Sequence, residues 1–323
     1  MKQIPLNSYF PSMSPISLGC MGLGGSWGTA PFESKHVTQA HTAVDAALDC
    51  GINSFDHADI YTMGKAEQVF GEVLKARPEL RENILLQSKC GIVFEDEKGP
   101  KRFDFSKHYI LKSVDGILNR LNTEYIDIFL LHRPDPLMQA DEVAEAFSIL
   151  KASGKVKQFG VSNQNSHQMK LLQSALDMPL VANQIELNLT HLDFLEDVVL
   201  ANHPQAKDLS FPSGTMEYCQ LNNVQVQAWG SLCQGTLSGK SLTNQPHHIQ
   251  QTADLVSKLA ADYQTSAEAI LLAFLMRHPA KIQPIIGTTN PLRIQACSQA
   301  SQFELTREHW YSLFVTARGC ELP

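Results

Sequence analysis

Strand-like and helix-like patterns alternate along this chain eight times, and no other feature narrows the available folds as much. Short apolar runs of strand character stand at 17–20, 53–56, 84–89, 126–131, 156–161, 181–186, 224–229 and 283–286, each followed by helical material. Alternation of this kind reads as βαβ units sharing a parallel sheet. Eight units without a compositional break predict one (β/α)8 barrel, the TIM-barrel architecture, over residues 1–323. A doubly wound open sheet is the competing arrangement. Spacing marks the helices: Val37, Ala40, Val44, Ala47 and Leu48 share one face, and Gly51 is placed to end that helix as a left-handed cap. Pro5, Pro11 and Pro15 keep residues 1–15 from forming a central strand and predict an N-terminal hairpin or lid.

Composition excludes several classes of function. With 43% apolar residues the chain can bury a large core, and 26 basic against 33 acidic residues, net −7, argue against nucleic acid or an anionic membrane as partner. Seven scattered cysteines without a C-x-x-C pair suit reduced thiols rather than a disulfide framework or a zinc site. His247-His248 has no third ligand at useful spacing, so no metal is expected. The N-terminus lacks an apolar signal core, and the longest apolar run, 269–276, falls far short of the ~20 residues of a membrane span. The expectation is a cytoplasmic protein of unspecified oligomeric state. A glycine-rich loop follows the first strand, but a dinucleotide fingerprint would need Gly at 22, 24 and 27, and Trp27 breaks it.

Chemistry concentrates at three consecutive strand ends. Asp56 and Tyr61 follow the second strand, Lys89 ends the third and His132 the fourth, and a barrel of this kind builds its active site where strands end. A Tyr hydroxyl with a free pKa of ~10 is a poor proton donor or acceptor near neutrality, and the Lys89 ammonium is expected to lower that pKa. A buried ammonium needs a partner, which Asp56 is positioned to be. His132 could hold a substrate oxygen.

These stretches resemble the aldo-keto reductase superfamily. Gly51-x-Asn53-x-Phe55-Asp56-x-Ala58-x-x-Tyr61, Ser88-Lys89 and Leu131-His132-Arg133-Pro134-Asp135 look like its tetrad motifs, in order and spacing. The likeness continues through Phe159-Gly160-Val161-Ser162-Asn163, Asn183-Gln184-Ile185-Glu186, Ala228-Trp229-Gly230-Ser231-Leu232 and Ile286-Gly287-Thr288-Thr289-x-Pro291-x-Arg293. The segments around Tyr61, Cys90 and Pro134 look closest to bacterial oxidoreductases of the YdhF type. The resemblance implies NADPH-dependent reduction of an aldehyde or ketone, with Tyr61 as general acid, Lys89 and Asp56 tuning it and His132 orienting the carbonyl. It implies that Ser162, Asn163 and Gln184 hold the nicotinamide carboxamide and Trp229 stacks on the ring. The turn Gly230-Ser231-Leu232 would follow the pyrophosphate, with Gly287, Thr288, Thr289 and Arg293 near the adenosine 2′-phosphate. Trp27, Phe94 and Arg133 fall in loops that would flank the carbonyl, in an apolar pocket. Two other readings stay open: a dinucleotide-binding redox sensor or auxiliary subunit with little turnover, and a barrel hydrolase using Asp56 and His132 without nicotinamide.

Overall fold

The computed structural model describes residues 2–323. Ten strands form among the described residues: β1 Ser17–Gly19, β2 Ser54–Asp56, β3 Leu85–Cys90, β4 Ile92–Val93, β5 Arg102–Phe103, β6 Ile126–Leu131, β7 Val156–Ser162, β8 Leu180–Glu186, β9 Gln225–Trp229 and β10 Gln283–Ile286. β4 and β5 make a small antiparallel hairpin, and the other eight close a parallel barrel in the order β1, β10, β9, β8, β7, β6, β3, β2. The eight barrel strands are those expected from the alternation, and closure rules out the open sheet. Leu86, Phe129, Leu131, Phe159 and Val161 are fully buried on the strands, as a sheet covered on both faces requires.

Local chemistry shapes the outer helices. Lys107–Leu121 starts where the Ser106 hydroxyl accepts the Tyr109 N–H, buries Ile110, Val114, Ile117, Leu118 and Leu121, and stops at left-handed Asn122. Ser34–Asp49 buries Ala40, Ala43, Val44 and Ala47, and Gly51, at φ +73°, turns the chain into β2. Three helices go beyond those read from the sequence: Asp193–Val199, His247–Asp262 and Arg307–Arg318. His247–Asp262 buries Ile249, Ala253, Val256 and Leu259 at helical spacing, with Thr252 among them. His247 and His248, read as loop residues, form its first turn.

Residues 2–16 form no strand, so the N-terminal hairpin is absent. Pro5 instead opens a 3-10 turn, Pro5–Ser8, and the Asn7 side chain ties the segment together by accepting from the Ile4 N–H (2.8 Å) and donating to the Met13 carbonyl (3.0 Å). Ile4, Leu6, Phe10 and Met13 then pack against Ile128, Leu130, Val181 and Ala182, covering the barrel at the end opposite the chemistry. Among the described residues no helix is long and apolar enough to cross a membrane.

Candidate active site

Parallel register brings the strand-end residues together. Gly19, Asp56, Gln87 and Ile128 are successive cross-strand neighbours, and Lys89 stands two residues beyond Gln87 on β3, from where its side chain reaches Asp56. Lys89 is fully buried, and its ammonium donates to Asp56 Oδ2 (2.8 Å), the His57 carbonyl (2.7 Å) and the Tyr61 hydroxyl (3.1 Å). All three of its donors are thereby used. The loop after β2 keeps pairing with β3, His57 N–H to the Gln87 carbonyl (2.8 Å) and Asp59 N–H to the Lys89 carbonyl (3.0 Å). It then reverses through three left-handed residues, Thr62, Met63 and Gly64. Such backbone persists only where its surroundings over-determine it, and here the Thr62 hydroxyl is tied to the Leu23 carbonyl (3.0 Å). The His132 ring meets Tyr61 edge-on, with centroids 6.0 Å apart.

The electrostatics differ from expectation at one point. Burial raises the Tyr61 pKa, and the Lys89 ammonium, which acts to lower it, does not overcome that effect. Tyr61 therefore keeps its proton at neutral pH, as a donor must. Burial also acts to lower the Lys89 pKa, but Asp56 and Tyr61 outweigh it and the net shift is upward, so the cation persists. Burial, Lys89 and Arg133 together push His132 down to about 2, leaving a neutral imidazole beside the phenol. A neutral His, a protonated Tyr and a fixed ammonium can polarise a carbonyl oxygen and deliver a proton to it.

The residues expected to hold a dinucleotide fall around the same barrel mouth. Asn163, held at φ +57°, donates to the Ser162 hydroxyl (2.8 Å) and the His132 carbonyl (3.3 Å) and accepts from Trp229 Nε1 (3.1 Å). The Arg133 guanidinium lies 5.5 Å from the Trp229 ring centroid, so this substrate-loop residue shares the Trp229 face. Gln184 donates to Asp56 Oδ1 (3.0 Å) and Gln227 Oε1 (3.2 Å), which turns its amide nitrogen into the barrel. Gly230 turns at φ +68°, while the buried Ser231 hydroxyl donates to the Ile285 carbonyl (2.8 Å), and Leu232 is half-buried beside it. That turn presents backbone rather than the Ser231 side chain. Gly287 is exposed with open space where a side chain would start, Thr288 accepts from the Asn290 N–H (3.2 Å), and Thr289 accepts from Gln39 (2.8 Å). Arg293, half-exposed, meets Glu268 at 3.3 Å and the Ser238 carbonyl at 3.3 Å, so the expected anion-binding cation already has an acidic neighbour.

Trp27 is 52% exposed on the loop after β1. Phe94 borders a cavity of about 410 Å³ with Asp59, Ile60, Met63 and Tyr109, on the outer side of the Tyr61 loop. Sequence reading passed over several residues of this region. Lys65, 6% exposed, donates to the carbonyls of Ser26 (2.9 Å), Gly28 (2.8 Å) and Ala30 (2.9 Å), holding the Trp27 loop. Glu67 joins Ser88 (2.6 Å) to Arg120 (2.7 Å) behind Lys89. Gln87, Gln227 and Gln283 lie buried inside the barrel. A buried glutamine needs bonded partners, but from the sequence alone an amide within a strand is not told from a solvent-facing one.

Comparison with known proteins agrees with this geometry. The Aldo/keto reductase family profile matches residues 15–313. The chain is 38% identical to the uncharacterized oxidoreductase YcsN of Bacillus subtilis over 87% of this chain and 88% of that one, and 35% identical to the oxidoreductase YdhF of Escherichia coli over the same shares. It is 34% identical to a 6-dehydroglucose reductase of Agrobacterium fabrum over 96% of both chains. Among solved structures, the glycerol dehydrogenase AKR11B4 of Gluconobacter oxydans superposes with a TM-score of 0.78 at 26% identity, covering 96% of this chain and 94% of that one. An aldo/keto reductase from Klebsiella pneumoniae in complex with NADP and acetate shares the fold at a TM-score of 0.72 and 22% identity, over 93% and 90% of the two chains.

Proposed function

Since the chain belongs to the aldo/keto reductase family and is an NAD(P)H-dependent oxidoreductase, we propose that it reduces aldehydes or ketones to alcohols with NADPH, using Tyr61 as general acid. The observation that carries this reading is the set of three hydrogen bonds from the buried Lys89 ammonium, which fixes the Tyr61 hydroxyl beside a neutral His132. In the proposed reaction His132 and Tyr61 hold the carbonyl oxygen, and Tyr61 passes its proton to that oxygen. Lys89 stabilises the phenolate left behind, and Asp56 keeps Lys89 charged. NADPH, when bound, supplies the hydride.

The residues present fit such a cofactor. Ser162, Asn163, Gln184 and Trp229 would hold the nicotinamide end, and the Gly230–Leu232 backbone the pyrophosphate. Gly287, Thr288, Thr289 and Arg293 would hold the adenosine end. The open space at Gly287 and the half-exposed guanidinium of Arg293 support that end of the assignment. Trp27 and Arg133 are the proposed lining for the substrate, whereas Phe94, expected beside them, borders the separate cavity with Tyr109. The relative named 6-dehydroglucose reductase supports testing oxidised sugars beside aromatic aldehydes.

The direct test mixes enzyme, NADPH and 4-nitrobenzaldehyde and follows cofactor oxidation. Tyr61→Phe is expected to lower kcat by about 10²–10⁴-fold, the usual contribution of a positioned acid, with NADPH affinity within threefold of the parent. Most of the activity surviving in Tyr61→Phe would sink its role. NADPH binding without oxidation by the parent, across a broad carbonyl panel, would favour the sensor reading. For Arg293→Ala, loss of a charge-assisted contact predicts a roughly 10–100-fold loss of NADPH affinity and a much smaller loss for NADH. Equal losses would remove Arg293 from the 2′-phosphate.

A further inference from the structure

The interior of this barrel is polar where residues such as Val, Ile and Leu usually fill the layers. Asp56 Oδ2 is taken by Lys89, and its Oδ1 accepts from Gln87 Nε2 (2.6 Å) and Gln184 Nε2 (3.0 Å). The amides of Gln87 and Gln227 exchange two hydrogen bonds, of 2.9 and 3.0 Å. Gln227 also donates to Gln283 Oε1 (2.9 Å), and Gln283 donates to the Ser14 carbonyl (2.8 Å) in the segment that covers the barrel floor. Register explains how five strands meet: Asp56 neighbours Gln87 across β2 and β3, and Gln227 on β9 neighbours Gln184 on β8 and Gln283 on β10. Asp56, Gln87 and Gln184 are each 2% exposed, and Gln227 and Gln283 are wholly buried.

Both ends of this chain of amides can only accept, a carboxylate at one and a backbone carbonyl at the other. Each glutamine therefore has one orientation that satisfies its neighbours, and the carboxylate cannot rotate without leaving a buried amide unpaired. An apolar layer would fill the same volume, so packing alone does not call for amides here. We infer that Gln87 and Gln227 are positioning residues for the reaction: they lock the Asp56 carboxylate in the orientation that holds Lys89 against the Tyr61 hydroxyl. The inference rests on the Tyr61 reading above. Gln87 acts on Asp56 directly, and Gln227 acts through Gln87 and Gln184.

The test uses the full-length enzyme with NADPH and 4-nitrobenzaldehyde, in the parent, Gln87→Met, Gln227→Met and the double variant. Methionine keeps the volume and removes the donors. Each single variant is expected to lower kcat about 10–100-fold, with NADPH affinity, read by quenching of protein tryptophan fluorescence, within threefold of the parent. The basic limb of the kcat profile is expected to move to lower pH, because Lys89 loses its fixed counter-ion and deprotonates earlier. The double variant should be no worse than the poorer single, since both break one device. If a methionine variant does not fold, Gln87→Glu carries the test: a protonated carboxyl can still donate to Asp56 and a carboxylate repels it, so kcat should recover as pH falls. A lowered melting temperature with parental kcat and a parental pH profile would overturn the inference and leave the amides a purely structural role. So would Gln87→Glu without acid recovery. Parent and Tyr61→Phe of equal activity would instead overturn the general-acid reading itself.

Discussion

At the residue scale, the buried Lys89–Asp56 pair bears on stability, and on the proposed chemistry through Tyr61. Two charges out of water are tolerated because every donor of the ammonium is filled and both carboxylate oxygens are occupied. Lys89→Met removes the cation but leaves Asp56 buried among amide donors, and breaking such a pair costs about 3–5 kcal/mol. Replacing both residues, Asp56→Asn with Lys89→Met, leaves no buried charge and is expected to recover most of that loss while activity stays absent. Denaturant melts of the three proteins check this. A double variant no more stable than Lys89→Met would mean that the pair itself, not the stranded carboxylate, carries the stability. Asp56, Lys89 and His132 were legible because each stands at or beside a strand end, where an apolar run stops and a polar residue becomes conspicuous, and Tyr61 because it follows Asp56 at the spacing of the motif it resembles. Gln87 and Gln227 were not, since an amide within a strand reads equally as a solvent-facing position until closure shows that it points inward. The sign of the Tyr61 shift was hidden for a related reason. Sequence shows the neighbouring cation but not the desolvation of the hydroxyl that outweighs it.

At the scale of elements, the loop that carries Trp27 is held by one side chain. Gly24, at φ +78°, lies so close to Lys65 that an added side-chain carbon would come within 2.6 Å of its backbone, and the Lys65 ammonium then collects three carbonyls from residues 26–30. Lys65 begins the helix Lys65–Ala76 directly after the Tyr61 turn, so that turn and the Trp27 loop share one support. Lys65→Met leaves those carbonyls without their donor and is expected to lower stability by about 1–3 kcal/mol. Amide exchange over residues 24–30 should speed up, and KM for 4-nitrobenzaldehyde should rise several-fold with kcat changed less than threefold. Unaltered exchange in that loop would show that it is held by other contacts. The strands flanking such loops were readable from short apolar runs bounded by turn residues. Lys65 was not, because a lysine at a helix start normally reads as solvated, and only the fold of the preceding loop gives it three partners.

At the scale of the whole molecule, burial of neutral imidazoles sets the response to acid. Burial pushes His57 down to about 3, and neither ring nitrogen has a hydrogen-bond partner where the ring packs edge-on against Phe70, 4.7 Å between centroids. Burial likewise lowers His278 to about 4, and His132 stands at about 2. These folded values lie below the unfolded one of ~6.5, so as pH falls through 6.5 the unfolded chain takes up protons that the folded chain refuses. Each such histidine then removes about 1.4 kcal/mol of stability per pH unit until its own folded pKa is reached. Asp59 works in the opposite sense: burial and Glu67 raise it to about 8, so its neutral form contributes stability that is lost as pH rises toward 8 and regained toward acid. One carboxyl offsets one imidazole, and the balance of the three histidines still favours unfolding between about pH 6 and pH 4. His57 isolates the effect, since it contributes only its backbone carbonyl to Lys89. His57→Leu keeps that carbonyl and removes the titration, so its stability should fall less steeply with acid than the parent's, by about 1.4 kcal/mol per pH unit below pH 6. Denaturant melts at half-unit steps from pH 7 to pH 4.5 measure both slopes. Parallel curves for the two proteins would mean that the imidazole finds a proton-accepting environment in the folded state and that acid lability arises elsewhere in the barrel.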